Sequence, residues 1–371
     1  MLHIKTRRAV LLASCAVTAL AAGGSVASAD AVAAATRPAD LAASAPVTVV
    51  AQGLNNPRSL AWGPDGHLLV AEAGTGGSEC TATLCFGLTG SVSDISTGAP
   101  VRVVTGLVSE SGEGNAAGPA GLAYAHHRLY VLEEGGSFDI PAGLSPGLTA
   151  AMHEQFGALL HVGTRSGITP ITNPGDFDYA WSSLHENLAD DFPDANPYAM
   201  TPGPRGGLYL MDAGSNTLDY VSRNGRVRVL AFIPRTPAGS DSVPTCVALG
   251  PDGALYIGQL NGAQSSVYRY VPGRGRLAIW QSGFSAITGC GFGANGDFYV
   301  TEFDTTGFPP SGFPAGAVVQ LARDGARTVL GAGELVAPQG FLPGPDGSIY
   351  VSNNSIFPGS GSTTGEVVKI G

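Results

Sequence analysis

The sequence predicts an all-β fold: a six-bladed β-propeller of four-stranded antiparallel blades, with the last blade closed by the N-terminal strand. Three observations predict it. One phrase recurs six times, over residues 57–72, 119–133, 197–212, 244–259, 287–302 and 338–353. Each copy reads as a short apolar strand, a tight turn and a second strand of the form Leu-Tyr-Val ending on a polar residue. The turn glycines Gly206, Gly253 and Gly296 stand 47 and 43 residues apart, the length of one four-stranded blade. Composition agrees, since Gly numbers 54 and Pro 26 while charged residues make up only 13%, which suits turns and strands rather than helices.

Residues 1–29 read as an export signal. Lys5, Arg7 and Arg8 precede an apolar run too short for a membrane span, and Ala27-Ser28-Ala29 supplies small residues for cleavage. Arg7-Arg8 loosely fits a twin-arginine signal, so either the general or the twin-arginine route is open; Leu12-Ala13-Ser14-Cys15 resembles a lipoprotein box with too short an apolar run before it. The reading is a secreted, soluble product. Residues 30–46, rich in Ala and Pro, read as a disordered leader, and 47–371 as the propeller. No other segment is long enough to span a bilayer. The net charge of −10 becomes −13 once residues 1–29 are removed, which disfavours nucleic acid and anionic membranes.

Third and fourth strands follow each repeat, for example 217–222 and 226–232, 266–271 and 276–281, 317–322 and 327–330. The sixth repeat ends at 366–370 with only three strands. Residues 47–51 (VTVVA) supply the fourth, which would remove the open edges between first and last blades.

Four cysteines follow the signal. Cys80 and Cys85 are spaced to staple one loop. Cys246 and Cys290 lie in the first strands of adjacent repeats, offset by one place, so that their side chains point toward the space between two sheets. A Cys246–Cys290 disulfide and two buried thiols both fit.

The long insertions, 73–88, 134–156, 173–196, 303–316 and 354–365, all join strand two to strand three or enter the next blade, and so share one face. Loops elaborated on one face often carry function, and this face is read as the binding face. Within 173–196, residues 180–189 read as an amphipathic helix turning Trp181, Leu184 and Leu188 inward. The acids there do not follow the spacing of a calcium loop, even with Asp190, Asp194 and Asn196 taken together.

Two rings carry the candidate chemistry. The second strands end on Glu72, Glu133, Asp212, Gln259, Glu302 and Asn353, an oxygen-rich set that would suit Ca²⁺. The preferred reading is that each side chain caps the backbone of the following loop. The first strands carry Arg58, Ala120, Tyr198, Thr245, Thr288 and Gln339 at their second place, a donor-rich mouth without carboxylates. Such a mouth could orient a carboxylate, carbonyl or sugar, or line a water-filled channel. No catalytic residue is assigned and no cofactor is predicted. HExxH and GxxxxGK[ST] do not occur, and His126 and His127 fall in a turn on the opposite face.

Asn196-Pro197-Tyr198, Asp212-Ala213-Gly214-Ser215-Asn216-Thr217-Leu218, Val243-Pro244-Thr245 and the segment from Tyr350-Val351-Ser352-Asn353-Asn354 to Gly365-Glu366-Val367-Val368-Lys369-Ile370 resemble the ScyD/ScyE family of secreted bacterial propeller proteins. The resemblance covers nearly all of 47–371, and its Asn-Pro-Tyr block is the most specific part. The GPDG repeats are shared with NHL-repeat and gluconolactonase-like propellers. It implies a fold and a compartment more than an activity, and Gln259 departs from the acid the family pattern implies.

The expected function is a secreted binding or scaffold protein engaging a small molecule, glycan or protein on its loop-rich face. The alternative is an enzyme resembling metal-dependent lactonases or quinone-dependent sugar dehydrogenases. A lactonase would want acidic ligands on the axial strands, and a quinoprotein a His near the axis. The sequence places neither there.

Overall fold

The computed structural model describes residues 45–112, 115–163, 167–236, 239–308, 314–356 and 365–371. The export signal and nearly all of the leader lie outside the described residues. Six antiparallel sheets form a six-bladed propeller, and each sheet is built outward from an inner strand. Blade 3 shows the plan. Its strands Pro197–Pro202, Leu208–Asp212, Thr217–Val221 and Val227–Phe232 pair in chain order. Blades 1, 2, 4 and 5 begin at Pro57–Trp62, Pro119–Ala125, Pro244–Leu249 and Ile287–Phe292. Blade 6 is assembled from both chain ends. Val47–Leu54 pairs antiparallel with Gly365–Ile370, with Val49 opposite Val368 and Ala51 opposite Val367.

The turns joining first and second strands are tight for a local reason. Gly206, Gly253 and Gly296 each take φ between 74° and 79°, the left-handed region where a Cβ is costly. In blade 2 the same turn is His126-His127, both at positive φ, as a two-residue hairpin requires. These turns define one face of the disc, the turn face.

The core lies between blades. Alternation along each strand sends one set of side chains to each neighbour, giving clusters such as Leu132, Leu159, Met200, Leu210 and Val221 between blades 2 and 3.

Both disulfides form. Cys80–Cys85 closes a short hairpin, and Cys246–Cys290 links blade 4 to blade 5. Gly258, opposite Cys246, leaves room for it, because a Cβ there would lie 2.6 Å from the Cys246 sulfur. The bond spans 44 residues, so the double variant Cys246→Ala/Cys290→Ala is expected to lose about 2–4 kcal/mol in urea unfolding. A variant as stable as the parent would show that packing alone holds the two blades.

The described parts of the insertions sit on the face opposite the turns, the loop face. Two expectations change there. The helix lies at Pro174–Ser183, not 180–189, because Asn173 accepts the Asp176 N–H as N-cap and Pro174 opens the first turn. Leu184 consequently falls past the helix end and is 81% exposed rather than inward. We call this helix α2. An unforeseen helix α1, Pro146–Gln155, is capped by Ser145 and packs Leu148 and Met152 against Phe86 and Val108 of blade 1. Residues 85–88, expected in a loop, begin the third strand of blade 1, Cys85–Asp94.

Candidate functional site at the propeller axis

A β-bulge decides where the inner-ring side chains point. In blades 2 to 5 the second residue of the first strand is skipped in the pairing, so Pro197 faces Asp212 and Ala199 faces Met211 while Tyr198 has no partner. A wider irregularity does the same at Arg58. A bulge re-aims its side chain. Arg58, Ala120, Tyr198, Thr245 and Thr288 accordingly line one axial channel of ≈ 380 Å³, and Gln339, just before the inner strand Phe341–Pro343 of blade 6, lines it too.

The structure brings these residues together but does not make them an open mouth on the loop face. All six are buried, Arg58 to 2% exposure and Gln339 to 1%. Tyr198 reaches across the axis and donates its hydroxyl to Gln339 Oε1 at 2.8 Å. Arg58 donates to the Ser355 carbonyl at 2.5 Å, to the Ala116 carbonyl at 2.5 Å and to Asn115 Oδ1 at 3.1 Å. Thr245 and Thr288 donate to backbone carbonyls of neighbouring blades. The set therefore forms a polar plug at the loop end. The channel continues past Ala61, Ala123 and Thr201 to the turn face, where Pro202 and Leu249 are exposed. Its opening lies on the side that sequence reasoning took to be plain.

Glu134 approaches the plug from the loop face, 3.8 Å from Arg58 Nε. Burial pushes its carboxyl up to about 7, against the downward pull of Arg58. Nearby Glu110 is pushed up to about 8 by burial and by the charges of Asp139 and Glu134. Burial also raises the Tyr198 phenol. Sequence reasoning missed both glutamates because neither belongs to the repeated positions it aligned, apart from the place of Glu134 right after Glu133.

The outer ring does not converge. Glu72 accepts the Asn55 N–H at 2.6 Å, Asp212 the Asn196 N–H at 2.7 Å, Glu302 the Ser285 N–H at 2.9 Å and Asn353 Oδ1 the Val336 N–H at 2.7 Å. These caps hold the backbone entering each blade's own first strand rather than the following loop as expected; Asp212 does both, accepting Gly214 N–H and Ser215 N–H as well. Glu72 is further engaged by Ser91, Ser93 and Arg102. Glu133 and Gln259 make no such cap, and burial pushes Glu133 well above the usual carboxyl range. Ring oxygens committed to backbone donors do not fit a shared Ca²⁺. The axial strands carry no Asp, Glu or His, so the residues present do not fit an axial metal either. Asp190, Asp194 and Asn196 also separate: Asp190 pairs with Arg235 at the surface, Asp194 is largely buried, and Asn196 Oδ1 accepts the Gly135 N–H.

No family model and no curated protein matches this chain. Among solved structures it is similar to a gluconolactonase from Xanthomonas campestris, with 10% identity over 88% of this chain and 89% of that one and a TM-score of 0.53. It is similar to the PQQ-bound aldose sugar dehydrogenase of Streptomyces coelicolor, with 14% identity, 88% and 98% coverage and a TM-score of 0.52. A protein of unknown function from Bacteroides thetaiotaomicron gives 11% identity, 87% and 75% coverage and a TM-score of 0.52. At such identities the likeness is one of fold alone: the chain shares the β-propeller architecture of these proteins.

Proposed function

We propose that this protein is a ligand-binding propeller whose site is the axial channel, entered from the turn face and suited to a small, uncharged, polar molecule of the sugar class. One observation carries the reading: a channel of ≈ 380 Å³, within the range of small-molecule sites, whose walls are the inner edges of six sheets and whose far end is closed. Inner strands pair on one side only, so their other edges turn backbone donors and acceptors toward the axis. Such walls suit hydroxyl-bearing ligands, and the charged side chain that lines the channel, Arg58, is committed to carbonyls of the plug.

The test is to narrow the channel. Thr201 lines it and is half-buried, so Thr201→Trp fills space without touching the plug. Titration of a monosaccharide and aldonolactone panel by calorimetry is expected to show at least about tenfold weaker binding in this variant, with an unchanged melting temperature. Equal binding by both proteins, or no binding by the parent, removes the channel reading.

A second reading, an enzyme acting on the same class of molecule, is favoured by the near-neutral carboxyls of Glu110 and Glu134, the range useful to a general acid or base. Neither lines the channel, so the binding reading is preferred. Export, ScyD/ScyE kinship and a glycan or protein partner on the loop face belong to the same proposal. Two disulfides suit an oxidising compartment, and no helix among the described residues is long and apolar enough to cross a membrane.

A further inference from the structure

Six blades supply six copies of one local arrangement, and blade 3 departs from the other five. In each blade the residue two places before the outer-ring side chain faces one third-strand residue. Those residues are Ser93, Leu160, Asp219, Tyr268, Val319 and Val368. In blade 1 the Ser93 hydroxyl donates to the ring carboxylate Glu72 at 2.5 Å. In blade 3 the same place holds a second carboxylate, Asp219, beside the ring carboxylate Asp212.

Helix α2 adds a third. Asp178 is wholly buried and contacts both Asp212 and Asp219. Asp212 Oδ1 is satisfied by three backbone N–H groups and Asp219 Oδ2 by the Thr217 hydroxyl. Both oxygens of Asp178, with Asp212 Oδ2 and Asp219 Oδ1, are buried with no N–H, hydroxyl or cationic donor. Carboxylate oxygens in contact and out of water repel unless a proton lies between them. With Asp178 in the middle, two junctions hold two protons. Among the described residues no group of three His, Cys, Asp or Glu side chains is arranged to hold a metal ion.

We propose that Asp178, Asp212 and Asp219 form a proton-held clasp docking α2 and its insertion onto blade 3, and that rising pH releases it. The groups around the clasp do not neutralise it. Asp194, after α2, is largely buried and feels Asp212, Asp191 and Asp139. On α2 itself, Asp176 is held by Ser137 and His185 stacks on Trp181. Arg235 is engaged with Asp190 at the surface. Burial raises Asp212 to about 6 against the pull of its backbone N–H donors, burial and the Asp212 charge raise Asp219 to about 8, and burial with both neighbouring carboxylates holds Asp178 well above its ordinary range.

The sign follows from these directions. Folded values above the ordinary 3.8 mean that the docked state holds more protons than the open one. Docking is therefore complete below about pH 4 and is lost as pH rises toward about 8, each retained proton raising the opening constant about tenfold per pH unit.

Amide hydrogen exchange of α2, corrected for intrinsic rates and measured on the full chain from about pH 5 to pH 8, tests this. Protection is expected to fall by about tenfold or more per pH unit. Asp219→Ser, which installs the hydroxyl of blade 1, should keep α2 protected and flatten the dependence. Infrared spectra at neutral pH should also carry a protonated-carboxyl band that disappears in alkali, a readout that needs no variant to fold. A flat or rising protection profile, an unchanged slope in Asp219→Ser, no such band, or α2 loosened by a calcium chelator at fixed pH would each overturn the clasp.

Discussion

Deleting residues 45–56 is expected to abolish the cooperative unfolding transition. Val47–Leu54 makes six register pairs with Gly365–Ile370, and its loss turns that strand into an open edge. The same strand sets Ala51 and Leu54 into the cluster of Leu60, Leu68, Val70, Ile95 and Val367, the apolar contact between blades 6 and 1. Removing it therefore exposes the core between blades 6 and 1 and also strips Ala45 and Val47 from the cluster between blades 5 and 6, while the contacts among blades 1 to 5 survive. Marginal stability cannot absorb that loss. A graded version keeps the strand: Leu54 is fully buried, so Leu54→Ala is expected to cost about 2–5 kcal/mol. Calorimetry checks both. A deletion variant melting within a few degrees of the parent would mean that the other blades hold the disc unaided.

Arg58→Met is the second large effect, at about 3–5 kcal/mol. The guanidinium joins three separate segments: its own blade, residues 115–116 and the stretch at Ser355. Methionine fills much of the volume but leaves two buried carbonyls without donors and Glu134 without its cation. Glu134 gives the loss a pH signature. Its carboxyl stands at about 7 with Arg58 pulling it down, so its folded value lies above the ordinary 4.5. The folded protein thus keeps a proton, and stability falls as pH rises from the ordinary value toward about 7. Without Arg58 the folded value climbs further and the decline continues to higher pH. Urea denaturation should show a larger cost at pH 8 than at pH 5. Equal costs would mean that Arg58 acts through its carbonyl contacts alone.

The repeat was enough to read blade count, strand order and closure by the two ends, because each rests on local alternation and turn chemistry. Val49 opposite Val368 is the clearest case. The start of α2 was misplaced because apolar spacing at Trp181, Leu184 and Leu188 outweighed the Asn173-Pro174 signal. The inner ring was legible as a set, since six aligned places converge on one axis. Its openness was not, because a hydroxyl reaching from Tyr198 to Gln339 across the disc is a relation between blades 3 and 6 that no single repeat contains. The carboxylates of blade 3 were hidden for a similar reason: Asp178 arrives from an insertion, and only packing sets it beside Asp219.

The pairing of Val47–Leu54 with Gly365–Ile370 also constrains how the chain reaches its native state. Blades 1 to 5 are each continuous in sequence and can form from neighbouring segments. The outermost strand of the sixth is synthesised early and must remain unpaired until the final residues emerge. Such a distant contact must meet its loop-closure entropy before pairing offsets it, which slows folding. Until then five assembled sheets present apolar flanks to solvent, and that species, rather than the native disc, is the one prone to aggregate.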